Sequence, residues 1–416
     1  MNSRSMDPEH IYGAEAEVVR SGYRRTEALF RESFGQEPAA YYRAPGRVEL
    51  GGNHTDHQGG ITLSASLTLD MIGAAGSRQD GMICLQSEGY PLLKCYWQDT
   101  ALKEEEKGSS LSLLRGMLAA FKSRGYLPRT SFGGLDIALI SRVPMGSGLS
   151  SSAALEILLA CIFNDCFEAG LSPLELARMA QETERDYFGK PCGLLDQLSS
   201  VWGGVISVDF SEPEPRIRRL WTDFAQTGYQ LFMVFCGAGH DNLTDAYAAI
   251  PAECGAVAAF FGGKQLSRVP EASFWEALPA LRSRLGDRPV LRAIHIYEEN
   301  RRALAQAACL EQGDFEGFLQ LVRESGRSSA LYLQNVTLPG AVAHQEMLLT
   351  LALCENALEG RGAVRVHGGG FGGTVEAFVP LDRTEQFRSR LESLLGPGSV
   401  LPLSLSPAGG VKVVDV

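Results

Sequence analysis

A glycine- and serine-rich segment, residues 144–152 (PMGSGLSSS), lies between a predicted strand and a strongly apolar predicted helix. Gly146 and Gly148 carry no side chain, so the backbone can approach a ligand closely there. Ser150, Ser151 and Ser152 place hydroxyls and free N–H groups at the start of the helix, where the helix dipole favours an anion. The segment therefore predicts a phosphate-binding loop. The alternative is a plain turn with a serine N-cap.

Other glycine patterns are poor nucleotide fingerprints in their context. The Walker pattern is absent, because neither Gly189-Lys190-Pro191 nor Gly263-Lys264-Gln265 continues with Ser or Thr. Residues 368–373 (GGGFGG) satisfy GxGxxG, but residues 374–379 read as a strand, whereas a dinucleotide fingerprint requires a helix there. We interpret this loop as a tight hairpin, either a glycine surface beside a bound nucleotide or a plain hairpin.

A dense group of polar residues begins at Arg47 and also holds Glu49, Asn53, His54, Asp56 and His57. Polar residues this close together, in a glycine-rich turn between apolar segments, indicate a hydrogen-bonding pocket rather than core. A metal cluster of the two histidines and Asp56 is disfavoured, because no further histidine lies nearby in sequence to complete a tetrahedral set.

Two carboxylates, Glu184 and Asp196, lie twelve residues apart, the first near the end of a predicted helix and the second in the loop that follows. This spacing would let one hold Mg²⁺ while the other faces a hydroxyl. Each could equally be a surface residue or part of a salt bridge at a helix end, which is the usual role of a single acidic residue.

Alternating predicted strands and helices position these segments. Helices are predicted over residues 11–34, 111–123, 153–166 and 173–185, and strands over residues 61–84, 92–97 and 135–143. Segments 44–60 and 189–204 read as loops. Further on, a strand is predicted over residues 230–236, and helices over residues 243–263, 272–285, 289–310, 314–324 and 340–358. The polar stretch 211–219 predicts a boundary between a domain of residues 1–218 and one of residues 219–416.

Composition excludes several classes of protein. The 416 residues carry a formal net charge of -11, which disfavours binding to nucleic acid or to an anionic membrane. No apolar run approaches the roughly 20 residues that span a bilayer, and the polar start lacks a signal-peptide core, so a cytoplasmic location is expected. The nine cysteines are scattered without a CxxC pair, which is typical of free thiols in a reducing compartment.

Three of these segments together resemble the motifs of the GHMP small-molecule kinases, and within them the galactokinase family. Residues 44–60 (APGRVELGGNHTDHQGG) resemble that family's APGRVNLIGEHTDYNGG, residues 144–156 its phosphate loop, and residues 364–373 (VRVHGGGFGG) its third motif. Residues 191–201 (PCGLLDQLSSV), 292–300 (RAIHIYEEN) and 240–254, with the His240, Tyr247 and Cys254 spacing, match further segments. The resemblance runs from about residue 25 to the end of the sequence.

The resemblance implies an α/β (α+β) fold of two lobes, mixed sheets covered by helices, with the active site in the interdomain cleft. It implies transfer of the ATP γ-phosphate to the anomeric hydroxyl of galactose or a closely related sugar, with Mg²⁺, in a monomer or weak homo-oligomer. Arg47 and Asp196 fall on the catalytic positions, and Ser152 and Glu184 on those that organise the metal. The nucleotide positions are Gly146, Gly148, Ser150, Ser151 and Ser152, and the sugar positions are Asn53, His54, Asp56, Gly193 and Tyr247.

The sugar motif departs from the family pattern on one side. Asn53 stands where the family has a glutamate that hydrogen-bonds the C6 end of the sugar, and Glu49, Gly51 and His57 replace Asn, Ile and Tyr. An amide keeps a donor and an acceptor but loses the charge-assisted bond. We therefore hypothesise relaxed or shifted specificity, towards galacturonate, N-acetylgalactosamine or another galacto-configured sugar.

Two alternatives to a galactose kinase remain. The first is a non-catalytic sugar sensor built on the same scaffold, which the presence of Arg47 and Asp196 disfavours. The second is a GHMP kinase for another alcohol such as mevalonate or homoserine, which the segments around Asp56 and Asp196 disfavour.

Overall fold

The computed structural model describes residues 5–127, 132–220, 222, 224–237, 244–371 and 373–416. Within these residues the strands form two sheets, and the larger has the order β1-β13-β2-β3-β6-β4-β5, with β7 paired to β3 and β8 to β7. Its strands are β1 (Ser5–Met6), β2 (Ala40–Gly51), β3 (Ile61–Ser77), β4 (Met82–Ser87), β5 (Leu93–Tyr96), β6 (Gly134–Ser141), β7 (Val205–Asp209), β8 (Arg216–Leu220) and β13 (Val411–Val413).

The smaller sheet is antiparallel and has the order β10-β11-β9-β12. Its strands are β9 (Tyr229–Phe235), β10 (Ala363–His367), β11 (Thr374–Pro380) and β12 (Val400–Leu403). The glycine-rich hairpin predicted at residues 368–373 joins β10 to β11, which pair in register from Ala363 with Phe378 to His367 with Thr374.

Helices cover both sheets, which confirms the mixed α/β fold class. Before the second sheet they are α1 (Pro8–Tyr12), α2 (Ala16–Phe34), α3 (Ser110–Ser123), α4 (Ser151–Cys166), α5 (Pro173–Glu182) and α6 (Leu195–Trp202). After β9 they are α7 (Thr244–Phe260), α8 (Glu271–Glu276), α9 (Leu278–Leu285), α10 (Asp287–Gln312), α11 (Phe315–Ser328), α12 (Glu346–Leu358) and α13 (Thr384–Leu395). π-Helical turns, Thr183–Phe188 and Ser329–Leu333, extend α5 and α11.

The helices that position the site have clear sequence causes. α4 is apolar almost all round, so it is buried against the large sheet and packs with α3 and α5 in one core. α5 begins at a capping box in which Ser172 and Glu175 bond each other's backbone, with Pro173 in the first turn. A second core lies between the smaller sheet and α12 and α13.

Some local predictions are wrong. Segment 44–60 was predicted as a turn, yet β2 runs through Arg47 to Gly51 and pairs with β3 and β13. Segment 189–204 was predicted as a loop, yet it contains α6, so Asp196 lies in the first turn of a helix. The helix predicted to end at residue 185 continues past α5 as a π-helical turn to Phe188, and α13 was not predicted.

The expected division at residues 218 and 219 falls inside β8, because the polar stretch 211–219 pairs there with β7. β13 lies in the larger sheet, although its residues follow the smaller sheet in sequence. The two-domain division itself stays a prediction. All nine cysteines are unpaired, and no helix in the described ranges has the length and apolar character that crossing a bilayer requires.

Candidate active site

An ion pair between Arg47 on β2 and Asp196 on α6 lies at the centre of the candidate site. Arg47 Nε is 2.7 Å from Asp196 Oδ1, and its Nη1 donates to the carbonyl of Gly148. Asp196 Oδ2 accepts from Ser150 Oγ. Burial raises the pKa of Asp196, but Arg47 and Ser150 outweigh it, so the pKa lies below its ordinary value. The carboxylate is therefore ionised at neutral pH, and its side chain is 28% exposed.

The phosphate-loop residues connect β6 to α4 in a conformation that requires glycine at two places. Gly146 and Gly148 have φ of 68° and 72°, in the left-handed region. Ser150 is the N-cap residue of α4 with φ of 59°, but its hydroxyl bonds Asp196 and makes no capping bond. The first N–H groups of α4 therefore lack a side-chain cap, unlike a plain serine-capped turn. Ser151 is the first residue of α4.

The hairpin that joins β10 to β11 supports this loop. Thr374 Oγ1 donates to the carbonyl of Ser147 at 3.2 Å. A methyl group on Gly148 would lie 3.0 Å from Thr374 Oγ1 and 3.4 Å from His367 Nδ1. The loop is thus packed between the Arg47 guanidinium and the smaller sheet.

Glu184, in the π-helical turn after α5, holds the other predicted metal position. It is 1% exposed, and its Oε1 accepts from Ser152 Oγ at 2.8 Å and from Lys190 Nζ at 2.9 Å. Its Oε2 accepts from Gln197 Nε2 at 2.8 Å. A hydroxyl and a carboxylate oxygen in contact, beside the predicted phosphate loop, are a donor set that suits Mg²⁺ held jointly with a nucleotide.

Asp56, at the start of a short 3₁₀ turn (Asp56–Gln58), lies against Gly193 in the loop before α6. A methyl group on Gly193 would come within 1.6 Å of Asp56 Oδ2, so only glycine leaves room for this carboxylate. Burial raises the pKa of Asp56 above its ordinary value. The pair brings the first motif next to Asp196.

His54 and His57 form a chain of neutral imidazoles. His54 Nε2 donates to the Gly369 carbonyl at 3.1 Å, which makes His54 Nδ1 the acceptor of a bond from His57 Nε2. His57 Nδ1 in turn accepts from Gln58 Nε2 at 3.2 Å. Burial lowers the pKa of His54 to about 3 and that of His57 to about 4, so both rings are uncharged at neutral pH.

Asn53 is fully buried, and protein groups satisfy its amide. Its Nδ2 donates to Glu49 Oε1 at 2.9 Å and to the Gly368 carbonyl at 2.7 Å. Its Oδ1 accepts from Asn335 Nδ2 at 2.9 Å and more weakly from Ser329 Oγ. Asn53 therefore joins the first motif to the glycine hairpin, and its assignment as a sugar contact stays a prediction.

Tyr247 on α7 also contacts this hairpin. Its hydroxyl donates to the Gly370 carbonyl at 2.8 Å, and a methyl group on Gly369 would lie 2.2 Å from its ring. The structure thus brings every predicted sugar position to the region where the first motif, the loop before α6 and the hairpin meet. His240, matched in sequence, lies outside the described residues.

Sequence reasoning missed two groups at the site. Lys190 was considered only as part of a failed Walker pattern, and its ammonium lies on Glu184. Arg365 on β10 is fully buried and pairs with Glu49. Its Nε lies 3.0 Å from Glu376 Oε1. The sequence signal for Lys190 was its position, six residues after Glu184 at the end of the same turn.

Comparisons with known proteins agree with this geometry. Residues 112–204 match the model "GHMP kinases N terminal domain", and residues 28–77 match "Galactokinase galactose-binding signature". The structure superposes on Methanococcus jannaschii mevalonate kinase with a TM-score of 0.62 at 14% identity, over 88% of this chain and 98% of that one. The fold is therefore that of the GHMP kinases.

Two galactokinases are more similar in sequence. Lactococcus lactis galactokinase, solved in complex with galactose, matches with a TM-score of 0.79 and 25% identity over 94% of this chain and 99% of that one. The galactokinase of Streptomyces coelicolor is 32% identical over 355 residues, which are 84% of this chain and 87% of that protein. This chain belongs to the galactokinase family.

Proposed function

We propose that this protein is an ATP-dependent sugar 1-kinase that transfers the γ-phosphate of ATP to the C1 hydroxyl of galactose or a closely related sugar. The observation that carries the proposal is the Arg47–Asp196 pair, with Nε and Oδ1 2.7 Å apart, against the serines of a phosphate loop. Family membership supports sugar and ATP as the small-molecule substrates. We also propose that it acts in the cytoplasm, as a monomer or weak homo-oligomer.

Asp196 orients the attacking hydroxyl and accepts its proton. The lowered pKa keeps this carboxylate ionised, so it is available as an acceptor throughout the neutral range. Arg47, which already donates to both Asp196 and the Gly148 carbonyl, offers positive charge where negative charge develops on the transferring group. The N–H groups at the start of α4, with Gly146, Gly148, Ser150 and Ser151, hold the phosphates.

Ser152 and Glu184 would hold Mg²⁺, since their oxygens are in contact and both are hard ligands. When bound, the ion neutralises charge on the phosphates of ATP. Gln197 keeps the Glu184 carboxylate oriented by donating to its second oxygen.

The sugar would be held in a pocket beside Asp56, Gly193 and Tyr247, with His54 and Asn53 supporting its wall through their bonds to the hairpin. Asp56 lies against Gly193 and offers a carboxylate acceptor for sugar hydroxyls. His54 is neutral, with its Nε2–H committed to Gly369, so this side of the pocket carries no fixed positive charge from an imidazolium. That arrangement favours a neutral sugar such as galactose over galacturonate.

A coupled kinase assay tests the proposal. ADP release is measured with galactose, galacturonate, N-acetylgalactosamine and mevalonate, and the phosphate is located in the product by NMR. A kcat/KM preference for galactose with phosphate on C1 is expected. Galactose binding without ADP release would identify a sensor instead, and a preference for a C6-modified or N-acetylated sugar would show that the changed motif shifts specificity.

A further inference from the structure

Lys190 places a mobile positive charge on the carboxylate predicted to hold the metal. Its backbone N–H donates to the Glu184 carbonyl at 3.1 Å, and its Nζ lies 2.9 Å from Glu184 Oε1. The Lys190 side chain is 54% exposed, whereas that of Glu184 is 1% exposed. One end of this ion pair is therefore fixed in the protein, and the other is free to move on a flexible four-carbon stem.

The surroundings of Lys190 are acidic. Burial lowers the pKa of Lys190, but attraction from Glu184 and then Asp196 outweighs it, and the pKa is raised. Arg47 is committed to Asp196 and to the Gly148 carbonyl, so Lys190 supplies the charge on the Glu184 side of the site.

The ammonium and a metal ion cannot share this position. Glu184 Oε1, which bonds Lys190 Nζ, is also the oxygen in contact with Ser152 Oγ, and these two oxygens are the predicted metal ligands. A divalent cation there would strongly repel an ammonium bonded to the same oxygen. Lys190 must then leave Glu184 Oε1, and the phosphates that arrive with the metal add new anions near it, besides Asp196.

We propose that Lys190 is a phosphate-binding residue whose ammonium rests on Glu184 in the nucleotide-free protein and moves to a phosphate oxygen when metal and nucleotide bind. This rests on the proposed kinase function and extends it. In the empty site Lys190 neutralises the buried carboxylate of Glu184. The exposed four-carbon stem of Lys190 can change rotamer, which the exchange requires.

Lys190→Met tests the exchange, because it changes two affinities in opposite directions. Binding of Mn²⁺ alone to the nucleotide-free protein, followed by electron paramagnetic resonance, should tighten about threefold to tenfold once the competing cation is removed. Binding of ADP with Mg²⁺, followed by calorimetry, should weaken about tenfold or more, the worth of one charge-assisted hydrogen bond. Damage to the fold would weaken both.

Lys190→Arg should recover nucleotide affinity to within about threefold, because the charge is kept. Lys412→Met is the matched control. Lys412 on β13 also pairs with a carboxylate, because its Nζ lies 2.8 Å from Oδ2 of Asp165 on α4. It should change neither affinity. Melting temperatures verify that the variants fold.

Mn²⁺ affinity that fails to rise in Lys190→Met, including no binding to either protein, would overturn the proposal. So would unchanged ADP affinity. Failure of the kinase function is distinguishable, because it would appear as wild-type protein that binds ADP but forms no sugar phosphate.

Discussion

Exchange of Asp196 for asparagine separates the chemical role of this carboxylate from its role in holding the site together. In Asp196→Asn the amide oxygen can still accept from Arg47 Nε. The amide nitrogen can donate to Ser150 Oγ, which is the donor to Asp196 in the wild type. Arg47 also keeps its bond to the Gly148 carbonyl. The geometry of the pair therefore survives, while the proposed proton acceptor is lost.

The two roles predict effects of different size. Loss of the proton acceptor should lower kcat about 10²- to 10⁴-fold, the usual contribution of a positioned general base. Stability should fall by only about 1–2 kcal/mol, since charge assistance is lost from hydrogen bonds that remain made. Removal of one partner from a fully buried ion pair lowers the free energy of unfolding by more, about 3–5 kcal/mol. The Asp196 side chain is 28% exposed and asparagine keeps the hydrogen bonds, so the smaller loss is expected here.

The assay combines single-turnover kinetics with galactose, calorimetry of ADP with Mg²⁺, and urea denaturation. Asp165→Asn is the matched control, because Asp165 is 25% exposed and is bonded by Lys412 and Tyr42 away from the site. It should lose comparable stability and keep kcat. Turnover in Asp196→Asn within a factor of ten of wild type would refute the assignment of Asp196 as proton acceptor, whatever happened to stability.

Two further predictions follow from steric fit and from a buried carboxyl group. Gly193→Ala should raise KM for the sugar about tenfold with ADP affinity unchanged, because its methyl would displace Asp56. Gly255→Ala is the control, since a methyl group there meets no atom within 4 Å. Equal KM values in the two variants would contradict the assignment of Asp56 and Gly193 to the sugar site. Burial raises the pKa of Glu376 to about 8 from an ordinary 4.5, despite the neighbouring Arg365. The folded protein therefore keeps a proton that the unfolded chain has released, and stability should fall as pH rises towards 8. Glu376→Gln should reduce this loss in melting temperature between pH 6.5 and 8, and parallel curves for the two proteins would show that Glu376 is already ionised.

The helices α4 and α5 were predictable from sequence alone. α4 has an unbroken apolar composition and α5 has a capping box, and both signals are local. β2 was not predictable, because its glycines looked like turn residues. A methyl group on Gly46 would lie 2.8 Å from the Leu149 carbonyl, and one on Gly51 would lie 2.0 Å from Gln306 Oε1. These glycines permit close packing with distant segments, which a local pattern cannot reveal.

The same contrast holds within the candidate site. The convergence of Arg47 and Asp196 was expected from the family motifs, and the structure brings them into contact across 149 residues of sequence. The orientation of Asn53 could not be predicted, since the groups that bond its amide come from residues 276 to 315 positions away as well as from Glu49. The contact of Lys190 with Glu184 could not be predicted, because it depends on the π-helical turn between the two residues.

The pairing of β2 with β13 constrains how the molecule is made. β13, which pairs with β2, lies near the end of the sequence. Arg43 on β2 donates to the carbonyl of Ala408, which is synthesised 365 residues later. During translation β2 must therefore wait with one edge unsatisfied, and an open strand edge is a template for aggregation. Ribosome-bound intermediates should therefore depend on chaperones until residues 411–413 have been added, because they cover the edge of β2 from Tyr41 to Arg43.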